Sequence, residues 1–242
     1  MKARKPFFFS IGFIFFLTIF ALSLGMPRCI TPCLAANDLL DAKKLVESSK
    51  HTLEGFMSDP NYTDFRTLLK KVRGIYITPS MLKGAFVVGI SGGSGVFLIK
   101  DKESGSWTGP AFYTIGGASF GLQAGGSASE VVLLILTDRG VSSLMANSVK
   151  LGADVSVAIG PIGAGASAET ANLSADIISY TRSKGLYGGI SLEGAVVGVR
   201  TALNKAYYGK KARPTDILIK RSVNNPHANG LIEEVTKATA EK

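Results

Sequence analysis

The groups able to do chemistry are few and scattered. The histidines are His51 and His227, and the glycine-rich stretch from Gly84 to Arg200 contains neither. That stretch carries the carboxylates Asp101, Glu103, Glu130, Asp138, Asp154, Glu169, Asp176 and Glu193. A histidine-based triad or a metal cluster needs imidazole or thiolate ligands converging on one point, and this stretch offers none. Two carboxylates brought together by the fold could still do glycosidic acid–base work, but no spacing marks a pair. Cys29 and Cys33 sit together near the N-terminus and cannot staple the rest of the chain. No catalytic residue, metal or cofactor is expected.

Two further motifs invite a ligand. Ser91 to Gly95 reads SGGSG, which could cradle a phosphate, but a P-loop needs lysine and a hydroxyl after its last glycine and Val96-Phe97 follows here. A glycine-rich hairpin turn around Gly92-Gly93 is the expectation instead. The second motif is basic: Lys70, Lys71, Arg73 and Lys83 interleave with Leu68, Leu69, Val72 and Met81. Cations for head groups and apolar side chains for the interface are what an anionic membrane surface asks for. The same pattern also fits a helix whose apolar side packs on a sheet while its lysines are solvated. Trp107, Tyr113, Tyr187, Tyr207 and Tyr208 are candidate rim residues, or buried aromatics with satisfied polar tips.

The elements that must position these groups follow from periodicity. Leu39, Ala42, Val46, Leu53 and Phe56 recur at helical spacing, with Ser49 in the same row, so Asp38 to Phe56 is an amphipathic helix. Asp59-Pro60-Asn61 breaks it, and Phe65, Leu68, Leu69 and Val72 mark a second short helix ending at Gly74. Strand patterns then take over: Ile75 to Pro79, Gly84 to Lys100, Ala111 to Ser127, the apolar run Val131 to Leu136, Val155 to Ile159, Ile177 to Tyr180 and Leu186 to Arg200. Asp101 to Gly109 is a polar hairpin tip, and Thr137 caps a short helix carrying Val141, Leu144 and Met145. The tripeptide Gly-Ile-Ser occurs at Gly89 and again at Gly189, each before a glycine-bearing turn. A last short helix, Ile217 to Arg221, has Thr215 as its expected cap, and the tail after Pro226 reads as polar, a loose helix or none. Of 28 glycines, 22 fall between Gly84 and Gly198, which favours closely packed, bent strands. The fold class expected is α+β: a glycine-rich, mostly antiparallel curved sheet or partial barrel with two N-terminal helices and short C-terminal ones.

The first 36 residues read as a secretory signal. Lys2, Arg4 and Lys5 precede a run from Phe7 to Leu24 without a charged residue, and Cys33-Leu34-Ala35 offers a small-residue cleavage site, after Ala35 or Ala36. An uncleaved anchor is the alternative, since that run is at the lower edge of what spans a bilayer. Cleavage would remove Lys2, Arg4, Lys5 and Arg28 and no acid, so the net charge would fall from +9 to +5. The organisation expected is a signal at 1–36, one domain at 37–222 and a polar tail at 223–242.

Several long motifs in fixed order carry a resemblance. Gly74-Ile75-Tyr76-Ile77, the stretch GAFVVGISGGSGVFLIKD, Gly105 to Pro110 (GSWTGP), GLQAGGSASEVVLLILT, GADVSVAIGPIGAGASAE, and Ser179 to Gly194 (SYTRSKGLYGGISLEG) together resemble the SYLF domain family. The similarity spans about Asp38 to Lys220. It implies a non-catalytic lipid-binding module that contacts anionic phospholipid or phosphoinositide-like head groups. In this family the membrane contact is attributed to a basic amphipathic segment at the start of the domain, which matches Lys70, Lys71, Arg73 and Lys83 here. Eukaryotic members also bind actin, whereas bacterial members are exported, so actin is not expected as a partner in an extracytoplasmic or periplasmic compartment. Nucleic acid is not expected either. An envelope protein partner is the alternative to lipid.

Overall fold

The computed structural model describes residues 31–85, 88–120, 125–161, 174–183 and 192–240. Helix α1 (Thr31–Ser58), a 3-10 turn (Pro60–Tyr62) and α2 (Thr63–Leu69) lead into the long strands β1 (Gly74–Ala85), β2 (Val88–Lys100), β3 (Trp107–Phe120) and β4 (Gly125–Ile135). Helix α3 (Asp138–Leu144), strands β5 (Ser148–Lys150), β6 (Val157–Ile159), β7 (Ile177–Ser183) and β8 (Val196–Val199), and helices α4 (Thr201–Tyr208), α5 (Pro214–Leu218) and α6 (Asn229–Thr239) complete it. The strands form one curled half-barrel sheet in the order β5-β8-β3-β2-β1-β4-β7-β6. Every pair is antiparallel except β6 with β7. This is the α+β class read from the sequence.

Both faces of the sheet are covered, which is why its strands carry apolar residues in succession rather than in strict alternation. Ile75, Ile77, Val96, Leu98, Phe112, Val132, Leu134, Ile178 and Tyr180 face a core shared with Phe56, Phe65, Leu203 and Leu231 from the helices. The intervening Tyr76, Phe97, Tyr113, Leu133, Ile135, Ile177 and Val197 face a second core closed by Leu144, Ala212, Ile217 and Leu218. Among the described residues, no helix is long and apolar enough to cross a membrane.

The glycines of SGGSG do a different job from the one expected. They lie inside β2, Gly92 and Gly93 paired to both β1 and β3 and Gly95 paired to β3 opposite the irregularity in β1, and none has a positive φ. Strands β1 and β2 stay paired out to Ala85↔Gly89, so Gly92 and Gly93 are not where the chain reverses. Strand β1 carries a bulge at Thr78-Pro79, where its register shifts against both neighbours. There the backbones crowd: a Cβ on Gly95 would stand 2.5 Å from the Ile77 carbonyl oxygen and 2.7 Å from the Tyr76 ring, and one on Gly93 would stand 2.5 Å from the Ser80 carbonyl oxygen. Glycine is required for close approach, not for a turn torsion.

Two more expectations change. Helix α5 starts at Pro214 with Arg213, not Thr215, as its N-cap residue; the Asp216 carboxylate accepts from the Arg213 backbone N–H at 3.2 Å. The tail is no loose appendage, because α6 buries Leu231, Val235 and Ala238 at helical spacing and Thr239 Oγ1 accepts from Trp107 Nε1 at 3.0 Å. The second Gly-Ile-Ser and Tyr187 lie outside the described residues.

Candidate functional site

Helix α2 ends at Leu69 with Lys70 as its C-cap, and its last turn is tied off when the Lys71 N–H donates to the Leu68 carbonyl at 2.9 Å. The chain then enters β1 under tight control: Arg73 N–H donates to the Ile135 carbonyl at 2.7 Å and the Arg73 carbonyl accepts from Lys100 N–H at 2.8 Å. Lys70, Lys71 and Arg73 are exposed, and none is in an ion pair with a described residue. Their apolar neighbours Leu68, Leu69 and Val72 are buried in the helix-side core. So the stretch offers fixed cations without apolar side chains free to enter a bilayer. Nearby, Asp138 takes Lys102 Nζ at 2.7 Å, a hydrogen bond that with the Lys102 and Arg73 charges holds its carboxyl below the usual range.

Lys83 is placed elsewhere. It is half-buried near the far end of β1, about 30 Å of extended strand from Arg73. On the opposite face of the sheet from Lys83 lies a feature that sequence reasoning missed: Leu82 and Ile90 are 62% and 71% exposed. The register Leu82↔Gly92 and Gly84↔Ile90 puts both on one face, diagonal neighbours across the β1–β2 pair. A leucine and an isoleucine among glycines are the only local signal for it.

Several of the carboxylates are occupied as structural anions. Asp176, whose side chain is 5% exposed, accepts from Thr137 Oγ1 at 2.6 Å, Ser156 Oγ at 2.6 Å, Arg139 Nε at 3.1 Å, and Arg139 Nη2. The Arg139 fork and then these hydroxyls hold its carboxyl far below the usual range. Glu130 accepts from Arg182 Nε at 2.6 Å, and that guanidinium lies over the Phe56 ring. Asp101 and Asp216 are likewise held low, the first mainly by the Ser104 N–H and hydroxyl, the second mainly by Lys220. Carboxyls shifted in this direction stay ionised and do not serve as general acids near neutral pH. Trp107, Tyr207 and Tyr208 are buried or half-buried with partnered tips, Tyr208 donating to the Pro110 carbonyl at 2.8 Å. Tyr113 is buried, and its hydroxyl has no hydrogen-bond partner among the described residues.

A family model described as "Ysc84: Las17-binding protein actin regulator" matches residues 116–238, from mid-β3 into α6. The chain belongs to the Ysc84, or SYLF, domain family. It is 33% identical over 170 residues to Protein YSC84 of Saccharomyces cerevisiae, covering 68% of this chain and 36% of that protein. It is 31% identical over 168 residues to SH3 domain-containing YSC84-like protein 1 of Homo sapiens, covering 69% and 48% respectively. LAS seventeen-binding protein 3 of the same yeast is 33% identical over 159 residues, or 64% and 34%. This SYLF chain thus spans about a third to a half of the length of these relatives.

Proposed function

We propose that this SYLF chain is a non-catalytic binding module that is exported and contacts anionic phospholipid, including phosphoinositide-like head groups, at a membrane surface. The observation that carries the reading is the trio Lys70, Lys71 and Arg73: exposed, unpaired with described residues, and held on a short connection hydrogen-bonded to the sheet. Because Leu68, Leu69 and Val72 are committed to the core, the contact is electrostatic and peripheral. At about 1 kcal/mol per cation near a charged surface, the trio is worth about 3 kcal/mol, roughly 100-fold in affinity. Lys83, far along β1 and on the opposite face of the sheet from Leu82 and Ile90, would act through a separate contact.

The test is binding of the full chain and of its Lys70→Glu/Lys71→Glu/Arg73→Glu variant to phosphatidylglycerol-containing vesicles, each measured against neutral vesicles. Any contribution of the apolar run near the N-terminus is common to both vesicle types and to both proteins. A fall of roughly 100-fold or more in the anionic-specific component is expected. An unchanged component would remove the assignment.

A protein partner is the second reading, favoured by the family's description as Las17-binding and by the exposed Leu82 and Ile90. It predicts a defined partner whose capture is lost in Leu82→Asp/Ile90→Asp while vesicle binding persists.

A further inference from the structure

Where α1 passes over the bulge in β1, it leaves a cleft of about 350 Å³ between itself, strands β1 and β2 and the start of α4. Its polar lining is Asp41, Lys44 and Ser48 from α1, Ser80 from β1, Ser94 from β2 and Arg200 at the N-cap of α4. Arg200 is held from both directions. Its backbone N–H donates to the Phe112 carbonyl at 2.9 Å, its carbonyl accepts from Asn204 N–H at 3.1 Å, and its Nη1 donates to Ser94 Oγ at 2.6 Å. That serine contact uses one of five guanidinium N–H donors. Neither Arg200 nor Lys44 is in an ion pair with a described residue, although Asp41 lines the same cleft. Among the described residues no aromatic side chain lines it, so a nucleobase would find no stacking surface there.

We propose that this cleft is a binding site for a small phosphate monoester. Arg200 presents its free guanidinium edge to two phosphate oxygens, Lys44 neutralises the second charge, and the Ser48 and Ser80 hydroxyls donate to the remaining oxygens. Asp41 accepts from hydroxyls on the organic part, which favours an ester of a polyol over a bare polyanion. The ligand chemistry is shared by a free phosphorylated polyol and by a phosphomonoester lipid head group. The site does not depend on the membrane reading, because Lys70, Lys71 and Arg73 are not part of the cleft.

The test is a titration of the full chain with glycerol 1-phosphate, followed by backbone amide shifts and by calorimetry. Saturable 1:1 binding with shifts at Ser80, Ser94 and Arg200 is expected. Arg200→Gln should weaken it at least about 10-fold, Arg200→Lys should fall between it and the parent, and Lys44→Gln should weaken it several-fold. The Lys70→Glu/Lys71→Glu/Arg73→Glu variant should bind glycerol 1-phosphate as the parent does. No saturation by about 10 mM ligand, equal binding of glycerol, or parental affinity in Arg200→Gln with a native amide spectrum would overturn the proposal. Vesicles of phosphatidic acid identify the source. If glycerol 1-phosphate displaces the chain from them the head group is the ligand, and if vesicle binding is indifferent to it the ligand is the free ester.

Discussion

Replacing Gly95 with alanine puts a methyl group where the β1 bulge already touches β2. The new carbon would stand 2.5 Å from the Ile77 carbonyl oxygen, 2.6 Å from Thr78 Oγ1 and 2.7 Å from the Tyr76 ring. All three partners belong to fully buried residues, so the strain cannot be relieved by swinging a surface side chain away. Overpacking of this kind costs about 1–3 kcal/mol, and with a backbone oxygen as the nearest atom the upper half of that range applies. For a protein of this size, 2–3 kcal/mol lowers the melting temperature by about 5–10 °C. Gly84→Ala is the control: a Cβ there meets nothing within 4 Å, and the change should stay within about 0.5 kcal/mol. Thermal melts and urea unfolding followed by circular dichroism read both. If Gly95→Ala melts with the parent, the strands do not approach as described and the reason given for the SGGSG motif is wrong.

Acid sensitivity and the C-terminal helix supply two more expectations. Hydrogen bonds from Arg139, Ser156 and Thr137 hold the folded-state pKa of Asp176 below its unfolded value of about 3.9. Its contribution is therefore fully present above that pH and lost as pH falls through the folded-state value. Asp176→Asn should lose about 2 kcal/mol at pH 7 and progressively less below about pH 4; a urea-midpoint gap equally wide at pH 7 and pH 3 would contradict this. Leu231→Ala in α6, at a side chain 1% exposed, should cost about 2–5 kcal/mol. A loss under about 0.5 kcal/mol in urea unfolding would mean that α6 is not part of the core.

Local pattern made much of this fold legible. The row Ala42, Val46, Ser49, Leu53 and Phe56 is the buried face of α1, Val131 to Ile135 is a strand covered on both sides, and Thr137 does cap α3, accepting from Gly140 N–H at 3.0 Å. What pattern could not distinguish was why a glycine is needed. Gly93 and Gly95 look the same in sequence whether the demand is a turn torsion or a close backbone, and only the bulge in β1 decides it. Helix α6 was hard to read for a related reason, since its anchor Trp107 lies 132 residues from Thr239. The site divides in the same way. Lys70, Lys71 and Arg73 were visible as cations, but the fate of Leu68, Leu69 and Val72 depended on packing against elements far along the chain. The distance from Arg73 to Lys83 depended on the long strand β1 that runs from just after Arg73 through Lys83. The cleft of Lys44, Ser80, Ser94 and Arg200 draws on four elements and has no motif at all.

The central claim is contact with anionic lipid through charge. It is tested most directly by co-sedimenting the full chain with neutral and with phosphatidylglycerol-containing liposomes at low and at high salt. The account predicts an excess of binding to the anionic liposomes at low salt that largely disappears at about 0.5 M salt, where exposed charges are screened within a few ångströms. Equal binding to both liposomes, or an anionic excess that salt leaves untouched, would contradict it.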